Sequence, residues 1–321
     1  MTGPLRLGTR GSPLARWQTA VVERALTGMG VHAIAEEIRT TGDIVTDVPL
    51  SQIGDTALFT RQLDDALLEH RIDAAVHSLK DLPTILRPGI SIVAVLRRED
   101  PRDALVGRGP LRWDGIPAGG MIATSSLRRR AQLRRARPDL QVVDLRGNVE
   151  TRLNRLDERP ELSAIILATA GLVRLGLEHR IGERLSPEIM LSAPGQGAVA
   201  VTARSNDART ADLIRRAVHD PATARQAAAE RALLRRLDGG CQVPIGALAT
   251  HPVGAAGELV LRARVVSLEG DRAVEAERSG SAVDESEAEA LGVDLAETLL
   301  ARGAEEILTL IRTPLSRASE P

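Results

Sequence analysis

Tyrosine is absent from the 321 residues, phenylalanine occurs once as Phe59, and tryptophan twice as Trp17 and Trp113. With hydrophobic residues at 43%, the cores must be aliphatic. A protein that works by stacking bases or sugars on aromatic surfaces is disfavoured. The single cysteine, Cys241, can form no intrachain disulfide and no clustered cysteine metal site. The six histidines lack close metal-motif spacing, so no metal is expected. A formal charge of -1 supplies no overall basic field for nucleic acid or an acidic membrane. Residues 1–20 carry Arg6, Arg10 and Arg16 without the continuous apolar core of a secretory signal. No stretch approaches a membrane span. These absences predict a cytoplasmic protein that binds neither nucleic acid nor membrane.

One further scarcity is specific. Of the 42 lysines and arginines, Lys80 is the one lysine. Coding bias accounts for the arginines, but it leaves open whether position 80 needs a compact ammonium rather than a planar guanidinium.

Periodicity predicts alternating strands and helices, and so an α/β layered architecture. Strands are expected at 5–9, 32–39, 74–77 and 91–96, with helices at 14–28 and 58–70 and a polar loop over 40–56. Ser12 and Pro13 suit the cap and first turn of the first helix. A second unit begins after Arg98-Glu99-Asp100-Pro101, with strands at 121–124, 142–145 and 164–169 and helices at 126–137 and 149–157. A strand at 198–203 could return to the first unit, which sequence alone leaves open. Helices at 207–219 and 221–237 precede Gly239-Gly240-Cys241. Strands at 243–249 and 259–268 and helices at 284–302 and 304–311 complete a smaller α+β unit. The domains read as 1–98 with 199–216, then 99–198, then 217–321.

Several strand ends carry polar chemistry. His77-Ser78-Leu79-Lys80-Asp81-Leu82-Pro83 follows a buried strand, where open α/β sheets place ligands. Its carboxylate can orient a donor or stabilise a cation, and an ordinary solvated Lys-Asp turn is the plainer alternative. Thr124-Ser125-Ser126-Leu127-Arg128-Arg129-Arg130 opens a helix whose free amides and arginines favour carboxylates. The same run reads alternatively as a solvated helix or a phosphate-binding face. Leu145-Arg146-Gly147-Asn148 and Arg10-Gly11-Ser12 repeat the arrangement, which suggests a cleft for several carboxylates. Cys241 sits in a glycine-flanked loop, where an accessible thiolate competes with a small buried hydrophobe. A protease-like pair of Cys241 with His77 or His219 is also open, without support from spacing. No nucleotide, zinc or hydrolase-elbow pattern occurs.

Six segments in order resemble the porphobilinogen deaminase family. They are Arg10-Gly11-Ser12-Pro13-Leu14-Ala15, Val76-His77-Ser78-Leu79-Lys80-Asp81-Leu82-Pro83, Thr124-Ser125-Ser126-Leu127-Arg128-Arg129, Leu145-Arg146-Gly147-Asn148, Gly195-Gln196-Gly197-Ala198, and Gly239-Gly240-Cys241-Gln242-Val243-Pro244-Ile245-Gly246. The resemblance implies two periplasmic-binding-protein-like α/β domains with a cleft between them, plus a smaller C-terminal α+β domain. It implies head-to-tail condensation of four porphobilinogens, with release of four ammonias and of hydroxymethylbilane. A dipyrromethane cofactor is implied on Cys241 through a thioether. Asp81 matches the catalytic aspartate. Lys80, Ser126, Arg128, Arg129 and Arg146 would hold the cofactor, and Arg10, Ser12, Phe59, Arg152 and Arg174 the substrate. The implied partners are porphobilinogen and its linear oligomers, with uroporphyrinogen-III synthase as a transient downstream partner of a monomer. Gln52 and Thr56 stand where many members have lysine, and Glu150 where many have glycine. Asp55 falls in a loop that is often more glycine-rich. The competing reading is a two-lobed small-anion-binding protein without catalysis.

Overall fold

The computed structural model describes residues 3–40, 60–237, 243–255 and 257–312. Strands β1 (Leu5–Thr9), β2 (Ala33–Glu37), β3 (Ala74–Ser78), β4 (Ile90–Val95) and β10 (Val199–Arg204) form one sheet in the order β2-β1-β3-β10-β4. Strands β5 (Asp103–Val106), β6 (Met121–Ala123), β7 (Gln141–Val143), β8 (Leu162–Ala168) and β9 (Glu183–Arg184) form a second in the order β7-β6-β8-β5-β9. In each sheet four strands run parallel, and the strand in the fourth position runs antiparallel to both its neighbours. That fourth strand, β10 or β5, enters directly from the other lobe. The two connections run side by side, with Leu96 N–H donating to Val199 O at 2.9 Å and Glu99 N–H to Gly197 O at 3.1 Å. Gly197 is required there: its φ is +87°, and a Cβ would lie 2.4 Å from Glu99 O.

Helix α1 (Pro13–Gly28) starts where sequence places it, with Ser12 Oγ accepting from Ala15 N–H at 3.3 Å and proline in the first turn. It buries Ala15, Gln18, Thr19, Val22 and Leu26, the three-and-four spacing of one helix face. Helix α2 (Arg61–Leu68) is the helix expected over 58–70, and it ends two residues early, with Glu69 as its C-cap and His70 at a φ of 59°. In the second lobe, α3 (Leu127–Ala136), α4 (Val149–Glu158) and the short α5 (Thr169–Arg174) follow β6, β7 and β8 directly. The six residues of β10 are all buried, as suits a strand covered on both faces.

Helices α6 (Ala208–Val218) and α7 (Pro221–Arg236) lead to a third, antiparallel sheet of β11 (Ile245–Thr250), β12 (Glu258–Val266) and β13 (Ala273–Ser281). Helices α8 (Glu285–Ala301) and α9 (Ala304–Arg312) complete this α+β unit. Helix α7 belongs to two cores. Ala224 and Ala227 pack with Leu79 and Leu82 of the first lobe, while Ala229 and Leu233 join the C-terminal core with Leu295 and Leu299. The fold is therefore α/β: two sheet-centred lobes with a smaller C-terminal α+β unit.

Candidate active site

The polar segments marked by the sequence gather at one end of the two sheets. Lys80 and Asp81 lie in a 3-10 turn (Leu79–Asp81) directly after β3. Ser126 caps α3 after β6, its Oγ accepting from Arg129 N–H at 3.4 Å. Arg146 follows β7, and Asn148 caps α4, accepting from Thr151 N–H at 2.8 Å. Arg152 projects from the first turns of α4. Arg10 and Ser12 follow β1. Arg174, at the end of α5, lies over the Trp17 ring at 5.6 Å and donates to Gly197 O at 2.6 Å, so it bridges the lobes.

Sequence reading missed the residue that organises the basic cluster. Asp103, the first residue of β5, is fully buried. It accepts from Arg128 Nη1 at 2.8 Å, from Arg129 Nε at 2.9 Å and Nη2 at 2.7 Å, and from Gln196 Nε2 at 3.0 Å. Arg128 Nη1 also donates to Leu191 O, and Arg129 Nη1 to Ile166 O. Gln196 in turn accepts from Lys80 Nζ at 3.3 Å. One chain of contacts thus runs from the ammonium through Gln196 and Asp103 to two guanidiniums. The sequence reading treats both arginines as ligand-facing; here each is 5% exposed and partly committed to Asp103.

Electrostatics show a site with excess positive charge. Burial pushes Lys80 down to about 8, Arg129 adding to the fall while Asp81 and Asp103 oppose it. Burial, followed by the charge of Arg129, pushes Arg152 down to about 10 against the opposing pull of Asp81. Arg174 falls to about 10 through burial. Arg152 Nε is buried with no hydrogen-bond partner among the described residues. His77, ahead of the turn, is held neutral by burial and by Arg10, down to about 3, with Nε2 3.0 Å from Thr202 Oγ1.

A pH dependence follows. Lys80 loses its charge as pH rises through about 8, so carboxylate capture by the ligand-free protein should weaken above that pH. Loading of apo-protein, followed by intact mass between pH 7 and 9.5, should fall on the alkaline side. Lys80→Arg should lose that fall, because guanidinium stays charged. An unchanged alkaline fall in the arginine variant would remove Lys80 from this role.

The structure brings Lys80, Asp81, Arg129, Arg146 and Arg152 into one electrostatic group and places Arg128 on its buried side. Arg10 stands close enough to bias His77. Cys241 and Phe59 lie outside the described residues, as do Gln52, Asp55, Thr56, the 41–56 part of the expected loop and the Gly239-Gly240 helix end. Glu150 is exposed in the first turn of α4, where its charge suits the helix dipole. Among the described residues no His, Cys, Asp or Glu group could hold a metal, and no helix is long and apolar enough to cross a membrane.

Two lobes joined by paired connections, with a half-buried basic cluster around one strand-end carboxylate, define a two-lobed α/β protein with cations concentrated at the strand ends. Residues 5–212 match the family model described as porphobilinogen deaminase, dipyromethane cofactor binding domain, and residues 224–301 match the porphobilinogen deaminase C-terminal domain. The porphobilinogen deaminase of Desulfitobacterium hafniense is 46% identical over 317 residues, covering 98% of this chain and 100% of the relative. That of Desulforudis audaxviator is 49% identical over 308 residues, covering 95% and 97%. The chain belongs to the porphobilinogen deaminase family. Similar solved structures include an ABC transporter periplasmic substrate-binding protein from Coxiella burnetii, 15% identical with a TM-score of 0.43 over 68% of this chain and 93% of that one. The methionine-binding protein MetQ is 12% identical with a TM-score of 0.42 over 66% and 89%.

Proposed function

We propose that this chain condenses four porphobilinogen molecules head to tail, releasing ammonia at each addition and hydroxymethylbilane at the end. The observation that carries this reading is Asp81 set among Lys80, Arg129, Arg146 and Arg152 at the end of β3. Each porphobilinogen brings two carboxylates, and a linear oligomer multiplies them. A cluster of partly buried cations, one with an unpartnered buried Nε, suits such a ligand. The same donor set fits a dipyrromethane, which when bound supplies a pyrrole carbon as nucleophile and a fixed end for the chain. Lys80, Ser126, Arg128, Arg129 and Arg146 would hold its carboxylates, Arg10, Ser12, Arg152 and Arg174 those of the incoming substrate, and Phe59 would contact the substrate through its apolar ring. Asp81 would accept hydrogen bonds from pyrrole N–H groups and set negative charge beside the cation formed as ammonia leaves the substrate.

Cys241 is the proposed attachment point, within domains divided as 1–98 with 199–216, 99–198 and 217–321. The enzyme works on this reading as a cytoplasmic monomer that hands its product to a cyclising synthase. Intact mass under denaturing conditions tests attachment and also separates this reading from a non-catalytic anion receptor. Wild-type protein should carry a two-pyrrole mass, and Cys241→Ser should fold without it. An adduct of normal mass on the serine variant would defeat the assignment.

A further inference from the structure

The turn that carries Lys80 and Asp81 is held firmly on one side. Leu79 N–H donates to Ala198 O at 3.1 Å, and the Leu79 side chain is buried against the connection at Gly195. The chain leaving Asp81 is held in a different way. Leu82 N–H closes the turn onto Leu79 O, and Pro83 has no N–H to donate. Leu82 is buried with Leu79 against Ala224 and Ala227 of α7, and beyond that contact lies a cavity of about 320 Å³, bordered in part by Leu79, Leu86, Ile92, Ala227 and Arg231. The carbonyls add a second hold, and one side chain takes three in succession. Arg231 of α7 donates through Nη1 to Leu82 O at 3.4 Å, and through Nη2 to Pro83 O at 2.8 Å and Thr84 O at 3.3 Å.

The preceding helix residue acts on the other connection to the site. Glu230, fully buried, accepts from Gly195 N–H at 2.6 Å and from Ala249 N–H at 2.8 Å, and pairs with both Nη groups of Arg98. Gly195 precedes Gln196, the acceptor of the Lys80 ammonium. Consecutive residues of α7 therefore hold the segment after Asp81 and the segment that holds Lys80.

We propose that Arg231 is a positioning residue for the reaction: its guanidinium fixes the backbone after Asp81, and so the placement of that carboxylate in the cleft. It touches no reacting atom and acts through the 82–84 carbonyls. The proposal rests on the reading of Asp81 as the acting carboxylate.

Arg231→Ala holoenzyme, its cofactor content verified by intact mass, should bind porphobilinogen with KM within about twofold of wild type. Its kcat should fall roughly tenfold to a hundredfold, the scale of a reacting group displaced by an ångström. Millimolar methylguanidinium should restore part of kcat, and Arg231→Lys should lie between. Should the alanine variant fail to fold, Arg231→Gln, which can donate to one carbonyl, should show the same split of kcat from KM. Asp81→Asn is measured in parallel. An inactive Asp81→Asn beside an Arg231→Ala with wild-type kcat overturns the positioning role alone. A fully active Asp81→Asn overturns the reading of Asp81 and this proposal with it. A fall in kcat that neither methylguanidinium nor lysine relieves, accompanied by loss of cofactor mass, assigns Arg231 to folding and also overturns the proposal.

Discussion

Asp103→Ala is expected to destabilise the protein by about 3–5 kcal/mol, the usual cost of removing one partner from a buried ion pair. The side chain is fully buried and satisfies two guanidiniums and the Gln196 amide. Its loss would leave Arg128 and Arg129, each 5% exposed, charged and short of an acceptor. Burial alone would push Asp103 up; the charges of Arg128 and Arg129, with hydrogen bonds from Arg128 and Gln196, reverse this and hold it well below the ordinary carboxylate range. A depressed carboxyl contributes stability that is fully present above its unfolded value of 3.8 and is lost as pH falls through the folded one. Wild-type stability should therefore decline below about pH 4, and the alanine variant should show a shallower acid limb as well as a lower midpoint. Asp103→Asn, which keeps an acceptor but no charge, should fall between. Denaturant unfolding at pH 7 and pH 3.5 reads both effects. Cofactor loading should drop in parallel, because Gln196 would lose one anchor for the amide that holds Lys80. An alanine variant with wild-type midpoint and loading would show that the two arginines do not depend on Asp103.

How much of this was legible in the sequence depends on the range of the interaction. Helix starts are local, so Ser12 and Pro13 read as the cap and first turn of α1, and the structure uses them so; Ser126 and Asn148, read for their place at strand ends, also cap their helices. The strand-end chemistry was legible for the same reason: Lys80, Asp81, Arg146 and the Arg128-Arg129 pair sit beside recognisable turns. Strand β5 was missed because its four residues follow Pro101, open with a charge and are too short to show a period. Strand β13 was missed because it is an edge strand of nine residues with only Ala276 buried, which leaves almost no apolar alternation. The expected strand over 142–145 ends early at Val143, since Leu145 N–H turns to Ser125 Oγ at 3.1 Å. Asp103, Glu230 and Arg231 carry no local signal. An aspartate after proline and arginine, or a Glu-Arg pair in an alanine-rich helix, reads as solvated surface until tertiary structure shows what surrounds it. Gln196 lay within a noted segment, but its role depends on Lys80 and Asp103, respectively 116 and 93 residues away. The arginine run illustrates the same limit from the other side. The sequence announces six guanidiniums, and only the fold divides them into two buried on Asp103 and others spent on Asp144, Glu269 and Asp139 at the surface.

Asp81→Asn should leave the fold intact and slow pyrrole addition by roughly 10²–10³-fold, the loss typical when one preorganised electrostatic contact to developing charge is removed. Asparagine matches aspartate in size and can still accept a hydrogen bond, so turn geometry and the Leu79 and Leu82 anchors should persist. The negative charge does not persist. Asp81 opposes the fall in both Lys80 and Arg152, so its neutralisation should depress them further and leave the cleft more cationic. Two measurements then move in opposite directions. Carboxylate capture at neutral pH should hold or strengthen, since an anion competing for the same cations is gone. The step in which positive charge develops on the substrate as ammonia leaves should slow, because the group opposing that charge is absent. A merely structural aspartate would weaken both together. Because cofactor assembly uses related chemistry, the variant must be supplied with preformed cofactor before elongation is timed. Single-turnover bilane formation, with intact mass and circular dichroism on the same samples, separates the two steps. The alkaline fall in apo-protein loading should also begin below the wild-type position near pH 8, since Lys80 no longer has Asp81 to support its charge. A folded, loaded Asp81→Asn protein that elongates at the wild-type rate would reduce Asp81 to a turn residue, and the cleft would then need another group to meet the charge left by departing ammonia.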